Sequence, residues 1–185
     1  FSTAQPIFAV SSSGTGKWVS GQWDSGIYTT DNKGSAGILL RRLVNYTTGE
    51  KLTVFCAEHG VDSPTGTIET GEHSIPTDPK MREACKIAYF GWYNKYGDYV
   101  IDGGIMSGSM KERKMNYVFT QQMIWEILGQ SNATFKDSSI QSQYISFKAE
   151  INEKIANMKK QPSFVYETIT VGVGETKTIT DSNNV

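Results

Sequence analysis

The chain of 185 residues has few cysteines, few histidines, little net charge and no long apolar run. Two cysteines are too few for a disulfide-rich secreted scaffold and cannot form a four-ligand zinc site alone. With 18 Lys and Arg against 19 Asp and Glu, the net charge of -1 argues against nucleic-acid binding. No stretch approaches the roughly 20 apolar residues of a membrane span, and we find no signal peptide. The start at Phe1 predicts a processed or excised chain.

The first 60 residues contain much Gly, Ser and Thr between apolar residues, a pattern typical of strands and turns. We predict strands over residues 17–23, 38–46 and 51–57. Gly49 lies between the last two, where it suits a hairpin turn. A polar loop is expected from residue 59 to about residue 77.

The middle of the chain predicts three helices, the first and the third from apolar residues that recur every three or four positions, and the second from its glycine stop. The first covers residues 77–93 and has a capping residue and a proline at its start. The second runs from about residue 114 to residue 128 and stops at Gly129. The third covers about 138–160 and carries one apolar stripe: Ile140, Tyr144, Phe147, Ile151, Ile155 and Met158.

Residues 164–180 return to alternation with period two, which predicts strands again. Strands at both ends of the chain then flank a helical middle. The predicted fold class is therefore α+β, in a single domain long enough to bury a core. A barrel-like or sandwich-like β-rich lobe, residues 1–76 and 162–185, carries an inserted helical lobe, residues 77–161. We expect the polar residues 181–185 to be a linker into another module.

Cys56 is the first candidate for reactivity, because it comes near the end of a predicted strand at the edge of a lobe. A nucleophilic thiolate there needs a lowered pKa or a nearby base. The chain has two histidines, His59 and His73, and neither context specifies a Cys–His hydrolase. The competing interpretation makes Cys56 a small buried hydrophobic residue and both histidines loop residues.

Cys85 falls on the apolar side of the first predicted helix, where a buried thiol packs as well as Ala or Val. We expect it to be a core residue. A disulfide between Cys56 and Cys85 is the main alternative for both residues, and the spacing does not exclude it.

Adjacent glutamines, Gln121 and Gln122, lie among large apolar residues in the second predicted helix. With Phe119 and Met123 facing the core, a glutamine is brought close to the interface between the lobes. Taken alone, the segment is most simply interpreted as a helix with two polar residues facing solvent.

Two motifs in order, Phe-Cys-Ala at residues 55–57 and Thr-Gln-x-x-Ile-Trp at residues 120–125, resemble the paired signature of a known family. This family is the thioester domains (TED) of Gram-positive bacterial cell-surface adhesins. There a β-rich lobe supplies a cysteine and a helical lobe supplies a glutamine, which join as an internal thioester at the lobe interface. The resemblance implies a bond from Cys56 Sγ to the side-chain carbonyl of Gln121. The Thr-Gln step favours Gln121 over Gln122.

The resemblance also implies a function. The thioester would react with an amine, a lysine of a host cell-surface or extracellular-matrix protein, and leave a covalent amide. The domain would be secreted and displayed on the bacterial cell surface, anchored to the cell wall through further stalk modules. No cofactor, metal, nucleic acid or membrane insertion is expected. Because each thioester reacts once, the domain would not be an enzyme.

A thiolate displaces ammonia from a carboxamide only when the fold holds the two groups in contact, which raises their effective concentration. We expect Phe55, Phe119 and Trp125 to shield the bond from water. His59, three residues after Cys56, is a candidate base.

Two other classes of function stay open. A non-covalent module would contact a host protein or glycan through aromatic residues such as Trp18, Trp23, Trp92 and Tyr93, although most of these are expected in the core. A cysteine hydrolase or transferase would use Cys56 with a histidine and turn over many substrate molecules. The thioester predicts a single acyl transfer.

Overall fold

The computed structural model describes residues 16–31, 34–60, 66–70, 76–97, 99–101, 110–158, 163–164 and 168–182. They form helices and a curled antiparallel sheet shaped like half a barrel, which agrees with the predicted α+β class. The chain divides into two compact units, Phe1–Ile155 and Ala156–Val185. Among the described residues, no helix combines the length and the apolar character needed to cross a bilayer.

The sheet lies in the first unit, and its strands follow the order β3-β2-β1-β4, with β5 also pairing with β1. A long β1–β2 hairpin forms its centre, and Gly26, with a φ of 68°, lies where the register of this hairpin shifts. Such a bulge bends a strand and increases its twist, which suits the curl of the sheet. The bounds are β1 Gly16–Asp31, β2 Gly34–Asn45, β3 Lys51–Thr53, β4 Gly66–Thr70 and β5 Thr134–Phe135.

The predicted strands are recovered in part. The first three predictions fall on β1, β2 and β3, but the loop expected over residues 59–77 contains β4, where Ile68 lies opposite Trp18. The strands predicted over residues 164–180 are wrong for the part that is described, because residues 168–182 contain no strand. Alternation alone does not order a strand that lacks a paired neighbour. Val171, Val173 and Ile179 are accordingly exposed rather than buried on one face.

All three predicted helices are confirmed, with shifted ends. Asp78 caps α1, because its Oδ1 accepts from the Lys80 N–H at 2.8 Å, and Pro79 occupies the first turn. Asp137 caps α4 in the same way, accepting from the Ser139 N–H at 2.8 Å. The bounds are α1 Pro79–Ala88, a π-helical segment Tyr89–Tyr93, α2 Asn94–Tyr96, α3 Met110–Ile127 and α4 Ser138–Ala156.

Helix α3 is the centre of the first unit. Its residues 117–125 are all buried, and the helix contacts α1, the π-helical segment, β1 and β2. A helix enclosed on every side buries its polar residues too, so the prediction that Gln121 and Gln122 face solvent is wrong. The stripe predicted on α4 is confirmed for Tyr144 and Ile151, which are buried, whereas Met158 lies beyond the end of the helix and is exposed.

Candidate functional site

Two buried residues from distant parts of the chain, Cys56 and Gln121, face each other inside the first unit. Cys56 forms an isolated β-bridge just after β3, and Gln121 lies in the middle of α3. The Cys56 N–H donates to Gln121 Oε1 at 2.8 Å, and Gln121 Nε2 donates to the Cys56 carbonyl oxygen at 2.8 Å. Cys56 is 3% exposed and Gln121 is 0% exposed. The structure thus brings together the cysteine and the glutamine that the two motifs single out.

The backbone leading to Cys56 is tied to the helices by tyrosine hydroxyls. Tyr117 of α3 donates to the carbonyl oxygen of Val54 at 2.6 Å, and Tyr93 donates to that of Thr53 at 2.6 Å. Residues four apart lie on one face of a helix, so Tyr117 and Gln121 reach the same segment from successive turns. This spacing fixes the position of the glutamine amide against the strand end.

Burial keeps both hydroxyls available as donors. Loss of hydration disfavours a phenolate, so burial raises the pKa of Tyr117 and the pKa of Tyr93 well above the ordinary tyrosine value. The nearness of the two phenols raises the pKa of Tyr93 further. The hydrogen bonds that hold the Cys56 segment therefore persist across the neutral and mildly alkaline range.

Replacing Tyr117 by Phe is expected to lower the free energy of unfolding by about 1–3 kcal/mol, because the Val54 carbonyl would stay buried without a donor. Tyr117 and Val54 are both buried, so water does not reach the Val54 carbonyl to replace the lost hydroxyl. Chemical denaturation measures the change. Tyr46→Phe, at an exposed tyrosine, is the matched control and should stay within about 0.5 kcal/mol of wild type. Equal stability of the two variants would contradict this role of Tyr117.

Gln122, the neighbouring glutamine, has different partners. Its Nε2 lies 3.3 Å from Glu126 Oε1, 3.4 Å from Ser131 Oγ and 3.3 Å from the Ala133 carbonyl oxygen. Successive side chains leave a helix about 100° apart, so the two adjacent glutamines reach different surroundings. The amide next to Cys56 is that of Gln121.

Large rings neighbour Cys56 and Gln121 along the chain, Phe55 directly before the cysteine and Trp125 one helical turn after the glutamine. Phe55 stacks on Tyr117, with ring centroids 4.6 Å apart and an interplanar angle of 18°. Trp125, one turn after Gln121 on α3, meets the His59 ring edge-on, with centroids 4.6 Å apart. Phe55 and Trp125 are both buried, which suits the shielding predicted for them. His59 therefore packs against Trp125 and does not lie in a remote loop.

Phe119, the third residue predicted to shield the bond, lies on a different side of α3. Its ring contacts Phe135, Tyr144 and Phe147 at centroid distances of 5.4, 5.5 and 5.5 Å. Positions two apart on a helix differ by about 200°, so Phe119 and Gln121 point in nearly opposite directions. Phe119 instead packs α3 against α4.

Both cysteines are free, so the alternative of a Cys56–Cys85 disulfide is wrong. The Cys56 thiol donates to the carbonyl oxygen of Glu58 at 3.2 Å. Cys85 is half-buried against the core, as predicted, and burial raises the pKa of its thiol. A protonated thiol is a poor nucleophile, which favours a packing role for Cys85. His73 lies outside the described residues.

The aromatic residues of the non-covalent alternative form no exposed surface. Trp18 and Trp92 are buried, and Trp23 and Tyr93 are half-buried. Tyr93 is further occupied by its hydrogen bond to Thr53. These four side chains therefore pack mainly within the protein.

Comparisons with protein-family models, with curated proteins and with solved structures give no match. The interpretation of the site therefore depends on its own geometry and on the two motifs. Within the described ranges, no group of three or more His, Cys, Asp or Glu side chains is arranged to hold a metal ion.

The arrangement suits attack of the Cys56 thiol on the side-chain carbonyl carbon of Gln121. Negative charge would develop on Oε1, which already accepts a hydrogen bond from the Cys56 N–H, and such a donor stabilises an oxyanion. The same contacts also serve a structural purpose, because the amide satisfies a buried N–H and a buried C=O. A chemical test for the bond between Cys56 and Gln121 distinguishes a reactive pair from a purely structural one.

Proposed function

We propose that this chain is a bacterial surface-adhesin domain in which Cys56 and Gln121 form an internal thioester that captures an amine. The observation that supports this most is the two-point hydrogen bonding between the Gln121 amide and Cys56, across 65 residues of chain. A buried amide needs partners, and here the partner residue also carries a free, buried thiol, a group that becomes a nucleophile once it loses its proton.

Formation of the bond balances without a cofactor. Cys56 Sγ attacks the carbonyl carbon of Gln121, the C–N bond breaks, and ammonia leaves with the proton of the thiol. The Cys56 N–H stabilises the oxyanion, and the fold supplies the high effective concentration that an isolated glutamine lacks. Phe55 and Trp125 exclude water that would hydrolyse the product.

Capture of a partner consumes the thioester. An amine attacks the same carbonyl carbon, the C–S bond breaks, and Cys56 recovers its thiol while Gln121 keeps the partner as an amide. We propose a lysine of a host cell-surface or extracellular-matrix protein as this partner. An amide bond is not limited by a dissociation rate, which suits attachment under shear. Each molecule reacts once, so the domain is not an enzyme. Secretion, cell-wall anchoring and further stalk modules complete the proposal, and they depend on the motif resemblance.

Methylamine is expected to add to the wild-type protein and to release one thiol in the same reaction. Intact mass measures the adduct, and thiol titration measures the release. Cys56→Ala removes the nucleophile and should show neither. Cys85→Ala, at the other cysteine, is the matched control and should add methylamine as wild type does. Equal uptake by Cys56→Ala and wild type, or no uptake by wild type, would refute the proposal.

A further inference from the structure

A cavity of about 410 Å³ lies beside His59 in the first unit. A single water needs only about 15 Å³ of such volume, so the cavity has room for an extended alkyl chain. One side comes from the end of the β1–β2 hairpin, and the other from the residues that follow α3. The residues that matter here are Thr29, Asp31, Ser35, Ala36, His59 and Gln130.

His59 connects this cavity to the Cys56 and Gln121 pair. It lines the cavity and also meets Trp125, the residue one turn along α3 from Gln121. From these contacts we propose that the cavity binds the incoming amine, an alkylammonium chain such as a lysine side chain. The inference rests on the proposed function. The His59 and Trp125 contact then separates the bound amine from the thioester and has to open before reaction, because Gln121 is fully buried.

The polar groups of the cavity suit a cation. Asp31 is the only described lining residue with a formal charge, and a carboxylate attracts a cation. The Ser35 hydroxyl and the side-chain carbonyl of Gln130 provide acceptors for an ammonium group, which has three N–H donors and no acceptor. Lysine recognition therefore needs no excess of acidic residues on the rest of the surface, whose charges nearly cancel.

The ammonium must lose a proton before it attacks, and His59, which lines the cavity and meets Trp125, is the base that we infer for this step. In its neutral form the imidazole takes one proton from the ammonium. The nitrogen then attacks the Gln121 carbonyl carbon, the C–S bond breaks, and Cys56 Sγ takes a second proton from the nitrogen. The amide product keeps one N–H, and His59 returns its proton to solvent.

Two nucleophiles test the cavity, N-acetyl-lysine methylamide as a cation and hydroxylamine as an uncharged nucleophile near neutral pH. Ser35→Arg places a positive charge in the cavity at an exposed position without adding a nucleophilic amine, and Ser142→Arg places the same charge on the exposed side of α4. Adduct formation followed by intact mass gives the rates. Ser35→Arg is expected to react about fivefold more slowly with the lysine probe, with its hydroxylamine rate within about twofold of wild type. Asp31→Asn should show the same selectivity, and Ser142→Arg should match wild type with both probes.

The outcomes separate this inference from the proposed function. Equal rates of Ser35→Arg and Ser142→Arg with the lysine probe would overturn the assignment of the cavity and leave the proposed thioester untouched. Equal slowing of both probes by Ser35→Arg would also overturn it, because a charge effect discriminates between the cationic and the uncharged probe. A wild-type protein that reacts with neither probe and keeps the full mass of its sequence overturns the proposed function, and the cavity assignment with it.

Discussion

Replacing Gln121 by Glu is expected to abolish amine capture and to lower the free energy of unfolding by at least about 3 kcal/mol. The side chain keeps its shape but loses its N–H donors. The Cys56 carbonyl oxygen, which now accepts from Gln121 Nε2 at 2.8 Å, would face a second acceptor inside the core. A carboxylate is also a poor acyl donor to a thiol, so no thioester forms.

Methylamine uptake in the wild-type background measures the first effect of Gln121→Glu. Chemical denaturation in a Cys56→Ala background measures the second, because no thioester forms there and the Gln121 amide keeps its two hydrogen bonds to the backbone of residue 56. Gln143→Glu makes the same chemical change on the exposed side of α4 and should leave both quantities near their wild-type values. Methylamine uptake by Gln121→Glu at the wild-type level would mean that another carbonyl reacts. Unchanged stability would mean that the paired hydrogen bonds do not hold the core.

Replacing Gly91 by Ala is expected to destabilise the protein by about 3 kcal/mol, at the upper end of the usual cost of overpacking. Gly91 lies in the π-helical segment, and a Cβ there would be 2.3 Å from Thr120 Oγ1 and 3.1 Å from Thr120 Cγ2. Thr120 precedes Gln121, so relief of this clash moves the glutamine relative to Cys56. We therefore expect slower thioester formation as well as lower stability.

A double-mutant cycle checks the cause of the Gly91→Ala effect. Thr120→Ala removes the two nearest atoms, Oγ1 and Cγ2, and leaves Cβ at 3.2 Å from the new methyl group, at the cost of the Thr120 hydrogen bond to the Asn116 carbonyl oxygen. The double variant should be more stable than the sum of the two single effects predicts, by about 1 kcal/mol or more. Strict additivity of the two changes in unfolding free energy would show that Gly91 matters for another reason.

Local chemistry made much of this fold predictable. Apolar residues at three- and four-residue spacing located α1 and α4, Asp78 with Pro79 marked the start of α1, and Gly129 marked the end of α3. The hairpin between β2 and β3 was also predictable, because Gly49 has a φ of 72° and Asn45 Oδ1 accepts from the Thr47 N–H at 2.9 Å. These features depend on residues that are close in sequence.

Features that depend on distant contacts were not predictable. The sequence of strand β4 is typical of a polar loop, and only the structure shows that it pairs with β1, with Ile68 opposite Trp18. The π-helical segment contains Gly91, and no local pattern reveals how closely Gly91 approaches Thr120. Burial of Gln121 has the same origin, because residues 117–125 of α3 are all buried among elements from the rest of the unit. A search for one apolar and one exposed face does not reveal a helical segment that is buried all round.

The candidate site was predictable as a pair of motifs and not as a geometry. Nothing within residues 55–57 or 120–125 indicates that the Gln121 amide forms two hydrogen bonds with the backbone of Cys56. The shielding role predicted for Phe119 illustrates the same limit, because its distance along the helix from Gln121 places it against α4 instead. Only the contacts in the structure show in which direction each side chain of α3 points.

The intact mass of the wild-type protein, purified without added amines, tests the central claim most directly. The thioester between Cys56 and Gln121 predicts a mass lower than that of the sequence by one ammonia, together with an unreactive Cys56 thiol. A disulfide would remove two hydrogens instead, so one spectrum separates the two bonds. A mass equal to that of the sequence, with the Cys56 thiol titratable in freshly folded protein, would contradict the account.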